Sequence, residues 1–201
     1  MGVTPLGGGD RVRDMAISTT INDLLMVELL YLRAALGLDT AVRIPELSVP
    51  VIRVSPPVPR PELADLSRRW DQQWGQVWLW REELEALRSS ISGTELLAHL
   101  LAAPSIGLEE WGQLSRTGFD DWRHHLPGAQ QPTAFEEGAE YLGRPALEQA
   151  WRRGLQAIAV LPYVGRVARP VGQHSLELSF DSYRDPEAFT AALSEYGGAN
   201  G

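Results

Sequence analysis

One long stretch of helical periodicity, residues 63–87, carries four of the seven tryptophans of this chain. Its apolar residues recur at steps of three and four, which places them on one helical face. They include Leu63, Leu66, Trp70, Trp74, Val77 and Trp78. If this face were exposed to solvent, it would form a larger apolar patch than monomeric proteins usually have. We therefore expect it to be buried. Trp80 falls on a neighbouring stripe and is expected at a rim or an interface.

The spacing of apolar residues predicts further helices on both sides of this one. The first is expected to start with Ser18 or Thr19 as its cap and to end at Gly37, and a longer one is expected over residues 134–159. Asp185 followed by Pro186 predicts the start of a last helix. Between these helices, the proline-rich residues 39–61 are expected to cross the surface as extended chain, and residues 161–172 to form a loop.

Residues 174–181 alternate polar and apolar side chains, which predicts a strand. A strand needs a partner, and the extended piece near residues 42–54 is the candidate. The predicted fold class is therefore α+β and predominantly α-helical, with a tryptophan-rich central helix and a small sheet. We expect a flexible leader over residues 1–17, one globular domain over residues 18–196 and a flexible tail over residues 197–201.

Composition excludes several classes of function. The chain has 201 residues, a net charge of −8 and no cysteine, so disulfides and thiolate chemistry are excluded. All 18 basic residues are arginine, which excludes a Schiff-base or phosphate-loop lysine. The acidic balance argues against general nucleic-acid binding, and no apolar run is long enough for a membrane span. The arginine-rich, lysine-free usage indicates a GC-rich bacterial genome, and we expect a cytoplasmic protein without a cofactor.

One candidate site combines two carboxylates and two imidazoles. Asp120 precedes His124 by one helical turn, and Asp121 precedes His125 in the same way. This spacing could supply metal ligands, or a carboxylate that orients a general base. Acidic residues early and histidines late in a short helix also complement the helix dipole, and we favour that interpretation.

A second candidate site is an acid-free window in this acidic chain. No Asp or Glu occurs between Glu148 and Glu177. The window contains Arg152, Arg153, Arg166, Arg169 and His174. Arginine forks suit phosphate and carboxylate groups, so the window is a candidate anion site, although the arginines could instead pair with acidic residues of the chain itself.

These observations leave three functional hypotheses. The first is a non-catalytic interaction or accessory protein, because no common catalytic motif is present. The second is a hydrolase that uses the Asp/His chemistry of residues 120–125, with or without a metal. The third is a regulator that binds a small anion or nucleotide through the arginine window. A protein partner or a small anionic ligand is therefore the expected partner.

Overall fold

The computed structural model describes residues 17–55, 58–88, 93–107, 111, 114–128 and 143–197. Within these ranges the chain forms seven helices and one four-stranded sheet, which confirms a predominantly helical α+β fold. The helices are α1 (Leu24–Leu36), α2 (Arg60–Arg88), α3 (Gly93–Leu101), α4 (Arg116–His124), α5 (Arg144–Arg152), α6 (Phe180–Arg184) and α7 (Pro186–Glu195). The strands are β1 (Ser18–Ile21), β2 (Ala157–Leu161), β3 (Ala168–Val171) and β4 (Ser175–Ser179).

The strand order across the sheet is β1-β2-β4-β3. β2 pairs in parallel with β1 on one side and with β4 on the other, whereas β3 pairs with β4 in antiparallel orientation. In register, Thr20, Ala159, Glu177 and Arg169 form one row across all four strands. The sheet therefore joins the beginning of the described chain to its end.

Helices cover both faces of this sheet and create two hydrophobic clusters. Ala159 and Leu161 of β2 contribute to a cluster with residues of α1, α2 and α4. Ile158 and Val160 of the same strand face the other way and pack with residues of α5 and α7. The tryptophan helix thus lies on one side of the sheet, and the last helix on the other.

The predicted helix over residues 134–159 is wrong at its C-terminal end. Residues 134–142 lie outside the described residues, α5 ends at Arg152, and Ala157–Leu161 is strand β2. All five residues of β2 are buried, because helices cover both faces of the strand. The apolar run of β2 continues the helical spacing of Leu147, Trp151 and Leu155. Periodicity alone therefore did not distinguish the end of the helix from the start of the strand.

The first helix also starts later than the sequence pattern predicts. Ser18–Ile21 is strand β1 rather than a cap and first turn, in keeping with the β-branched residues it contains. Asp23 caps α1 instead, since its side chain accepts hydrogen bonds from the backbone of Leu25 and Met26. The predicted end is confirmed, because Gly37 adopts the left-handed conformation with φ of 67° after Leu36.

The segment near residues 42–54 does not pair with the predicted strand. β4 pairs with β2 and β3, and the segment contributes one isolated bridge between Leu47 and Tyr163. The predicted loop over residues 161–172 instead contains β3. Pro170 is tolerated in β3 because this strand lies at the edge of the sheet.

The predicted core role of the tryptophan helix is confirmed. Trp70, Trp74 and Trp78 are all buried, and the first two rings stack with centroids 5.0 Å apart. The Trp70 indole donates a hydrogen bond of 2.6 Å to the carbonyl of Leu29 in α1. This bond satisfies the polar atom of a fully buried ring and fixes α2 against α1.

A buried ionic contact connects α2 to the sheet. Arg81 forms an ion pair with Asp23, and its second terminal nitrogen donates to the Thr20 hydroxyl at 3.1 Å. The other oxygen of Asp23 caps α1. One carboxylate therefore holds the start of α1 and the C-terminal third of α2 at the end of β1.

The helix that begins at Asp185 and Pro186 is confirmed, with Phe189, Leu193 and Tyr196 buried as expected. Among the described residues, no helix has both the length and the apolar character that a membrane crossing needs. The predicted leader falls outside the described residues apart from Ile17, and the tail apart from Gly197. The single-domain boundaries stay a prediction.

We predict that Trp70→Ala and Trp74→Ala each lower the free energy of unfolding by about 3–5 kcal/mol, because each empties a large aromatic site in the core. Urea denaturation followed by fluorescence would measure the loss. Trp80→Ala is the control, since Trp80 is half-buried and should cost less. Losses at Trp70 and Trp74 no larger than at Trp80 would contradict the core role.

Candidate functional site

Arg169, from the acid-free window, belongs to a buried three-residue network. Its Nε donates to Glu177, a fully buried residue of β4, and the Tyr163 hydroxyl donates to the other carboxylate oxygen. Arg169 also donates to the carbonyl of Arg43 at 2.7 Å, which ties the proline-rich segment to the edge of the sheet. Both oxygens of the buried carboxylate are thus matched by donors.

The surroundings of this network keep its proton donors protonated. Burial raises the pKa of Tyr163 well above its ordinary value of 10.0, and the charge of Glu177 raises it further. Burial lowers the pKa of Arg169, but the hydrogen bond and charge of Glu177 outweigh that effect, and the pKa is raised above its ordinary value. Tyr163 and Arg169 therefore keep their protons near neutral pH, and both donate to the Glu177 carboxylate.

Three of the other four window residues also contact groups of the chain itself. Arg166 forms an exposed ion pair with Asp185, the cap of α7. Arg153 donates to the carbonyl of Leu193, and His174 donates to the carbonyl of Gly154 at 2.9 Å. Arg152 is exposed at the end of α5. The guanidinium groups of Arg166 and Arg169, which the anion hypothesis assigned to a ligand, therefore contact carboxylates of this protein.

The predicted Asp/His pairs both lie in or directly after α4, but the imidazoles do not contact the carboxylates. Nδ1 of His124 donates to the backbone carbonyl of Asp120 at 2.6 Å, and Nδ1 of His125 donates to that of Asp121 at 2.7 Å. These bonds satisfy carbonyls at the end of the helix. The described residues contain no group of three or more His, Asp or Glu side chains placed to hold a metal ion.

The structure reveals a carboxylate beside α4 that sequence reasoning missed. Glu28 lies in α1, is 6% exposed, and lines a cleft of about 370 Å³. The other walls of this cleft come from residues 104–107 and from Arg116 at the start of α4. Arg116 Nη1 lies 3.1 Å from the Glu28 carboxylate, and its Nε lies 3.5 Å from Asp120. We call this the Glu28 cleft.

The surroundings of Glu28 raise the pKa of its carboxyl group. Burial raises its pKa above the ordinary value of 4.5, the charge of Arg116 lowers it, and the charge of Asp120 raises it again. The net effect is a raised pKa, since one half-exposed arginine does not replace the lost hydration. The available signal in the sequence was a glutamate inside the apolar run Met26–Leu30, because a charged residue is rarely buried without a reason.

A second feature of the surface is the outer side of α3. Trp80 of α2 stacks on His99 of α3, with ring centroids 5.7 Å apart and planes 6° apart. The Trp80 indole donates to the His99 carbonyl, and His99 Nε2 donates to the Trp80 carbonyl, both at 3.2 Å. The half-buried position of Trp80 fits its predicted place at a rim.

This docking leaves three leucines of α3 in solvent. Leu97, Leu100 and Leu101 are 56%, 43% and 80% exposed. Their spacing of three and four residues puts them on one side of the helix. On the neighbouring α2, Leu79 is also exposed. We call Leu97, Leu100 and Leu101 the α3 leucine face.

Comparisons with protein-family models, with curated proteins and with solved structures give no match to this chain. Its function is therefore inferred from the arrangement of its own residues.

The two arginines of the window should respond differently to removal. We predict that Arg169→Ala lowers the free energy of unfolding by roughly 3–5 kcal/mol, because it leaves the buried Glu177 carboxylate with an unmatched charge. Arg166→Ala should cost less than ~1 kcal/mol, since its ion pair is exposed. Chemical denaturation of both variants measures the contrast. Equal and small losses would show that the Glu177 network adds no stability.

Proposed function

We propose that the protein is a non-catalytic accessory protein that acts by contact with a protein partner, through the α3 leucine face. The observation that supports this proposal is the exposure of three leucines on one side of a helix that is itself anchored by Trp80 and His99. Exposed apolar groups of this kind are typical of interaction surfaces. We further propose a cytoplasmic location in a GC-rich bacterium, in keeping with the residue usage.

The partner that we propose is an amphipathic helix with basic residues beside its apolar stripe. A helix that lays its apolar side against leucines is a common recognition mode. The protein carries a net charge of −8, and Glu83 is exposed one turn after Leu79 on the neighbouring α2. Basic residues on the partner would match this charge and favour encounter.

Two labelled synthetic helices of about 18 residues test this proposal, long enough to be helical when bound. Both carry the same leucine stripe, one with lysine and the other with glutamate on the polar side. We predict that the lysine peptide binds and that the double variant Leu97→Ser, Leu101→Ser weakens its affinity by at least about tenfold, because two leucines lose burial. Fluorescence anisotropy gives the dissociation constants.

Ile52→Ser is the matched control, because Ile52 is 91% exposed and lies outside α2 and α3. It should leave the affinity unchanged. Equal binding to the wild type and the double variant would reject the leucine face as the contact. A dimer in light scattering that the double variant dissociates would identify a second copy of this chain as the occupant and would also overturn the proposal.

We propose a hydrolase as the second candidate function, on the strength of the Glu28 cleft. A carboxyl group with a raised pKa is suited to donate a proton to a leaving group. The Arg116 guanidinium, positioned over the Phe119 ring, is suited to hold an anionic oxygen of a substrate. Asp120 supplies the second carboxylate, so the chemistry includes one of the Asp/His residues predicted from the sequence.

Glu28→Gln tests this second candidate with two measurements. Because the folded state raises the pKa of Glu28, the native protein binds that proton more tightly than the unfolded chain does. This bound proton stabilises the native state at a pH below 4.5, the ordinary pKa of a glutamate. The stabilisation is lost as the pH rises through the higher pKa that Glu28 has in the folded protein. We therefore predict that the variant gains stability relative to wild type between about pH 4 and pH 8 in urea denaturation.

The second measurement is hydrolysis of a panel of p-nitrophenyl esters. Activity of the wild type above buffer should be lost in Glu28→Gln and kept in Glu83→Gln, which removes an exposed glutamate of α2. A stability difference that does not change with pH would contradict the raised pKa. No hydrolysis by the wild type of any ester in the panel would count against the enzyme.

A further inference from the structure

A second cleft, of about 500 Å³, lies between the C-terminal end of α1 and the proline-rich segment that folds over it. A hydrogen bond of 2.9 Å from the Val54 backbone to the Ala35 carbonyl holds the segment there. Leu38 and Ile44 are buried in this cleft, and Leu47 lines it as well. Its size is that of a small-molecule site.

Two arginines, Arg33 and Arg53, line the same cleft. Arg33 is half-buried, and its Nε donates to the Thr40 hydroxyl at 3.1 Å. That hydroxyl donates in turn to the Val42 carbonyl at 2.9 Å, so the chain positions the guanidinium through an uncharged group. We call this the Arg33–Arg53 cleft.

Neither arginine forms an ion pair within the part of the chain that the structure describes. Arg81, Arg166 and Arg169, by contrast, each contact a carboxylate. Two arginines that line one cleft and form no ion pair with a described carboxylate favour an anion from outside the chain.

The turn after α1 satisfies two of the carbonyls at the end of this helix. The carbonyls of Arg33 and Ala34 accept hydrogen bonds from the backbone of Leu38 and Gly37, at 3.0 and 3.3 Å. Gly37 needs its left-handed φ of 67°, and the Arg53 guanidinium lies against it, 3.7 Å from where a Cβ would be. The Arg53 guanidinium therefore lies at the C-terminal end of α1, where a positive charge also complements the helix dipole.

We propose that the Arg33–Arg53 cleft binds a small organic anion with one acidic group on an apolar body. The two guanidinium groups contact the carboxylate or phosphate monoester, and the side chains of Leu47, Pro50 and Val51 contact the apolar part. Glu46 also lines the cleft, so a polyanion is disfavoured and a single acidic group is preferred. This site is separate from the α3 leucine face and from the Glu28 cleft.

The experiment titrates the protein by calorimetry with phenylacetate, phenyl phosphate and the uncharged benzyl alcohol. We expect one-to-one binding of phenylacetate or phenyl phosphate, whichever anion the site prefers, and none of benzyl alcohol. Arg53→Gln should weaken the affinity at least about tenfold, because half of the guanidinium charge is removed. Ala34→Leu should have a similar effect for a different reason, since it fills the cleft and leaves both arginines in place.

Arg68→Gln is the matched control, because it removes an exposed arginine of α2 that does not line the cleft. Circular dichroism of each variant checks that the fold is kept. Loss of affinity in Arg53→Gln and Ala34→Leu but not in Arg68→Gln supports the site. Binding that all three variants weaken equally, or that only added salt affects, shows general attraction of anions and overturns it. No binding of either anion also overturns it.

Discussion

The burial of β2 on both faces is the constraint on which the rest of this structure depends. A strand between two parallel neighbours hides its backbone, and its alternating side chains then need an apolar cover above and below. α1, α2 and α4 provide one cover, and α5 and α7 provide the other. The tryptophans of α2 therefore pack over one side of a sheet whose strands come from both ends of the described chain.

This arrangement brings charged side chains into places that water does not reach, and the protein handles them in two ways. Glu177 receives a donor on each carboxylate oxygen, and Asp23 contacts Arg81 while it caps α1. In both cases partners inside the fold compensate the charge, and the contacts hold secondary-structure elements together. Glu28 is different, because its one arginine partner is half exposed and burial outweighs the attraction. That imbalance raises the pKa of the Glu28 carboxyl group.

The same distinction applies to the surface. Among the described arginines that interact with another part of the fold, most contact a carboxylate or a backbone carbonyl. Most of the large apolar side chains are buried. The α3 leucine face and the Arg33–Arg53 cleft depart from this pattern in opposite ways, one with uncovered apolar groups and the other with two arginines that form no ion pair among the described residues. We propose a contact with another molecule for each feature, and the two contacts can coexist because different elements form them.

The sequence by itself determined the elements whose signals are local. The tryptophan stripe of α2, the end of α1 at Gly37 and the start of α7 at Asp185 depend on spacing or capping within a few residues, so they could be predicted. The predominantly helical α+β class followed from the same patterns. The Asp/His pairs of α4 were also found by spacing, but spacing did not show that their imidazoles bond to backbone carbonyls.

Tertiary structure alone decided which chain segments became strands and which charges met. The run Ala157–Leu161 is compatible with a buried helix or a buried strand, and its neighbours β1 and β4 made it a strand. The sequence did not show which carboxylate Arg169 would contact, and the register of β3 and β4 placed it opposite Glu177. Glu28 and Arg116 are 88 residues apart, and no local pattern joins them. The physical reason is the same each time: burial and ion pairing depend on neighbours in space, which a linear pattern of side chains does not specify.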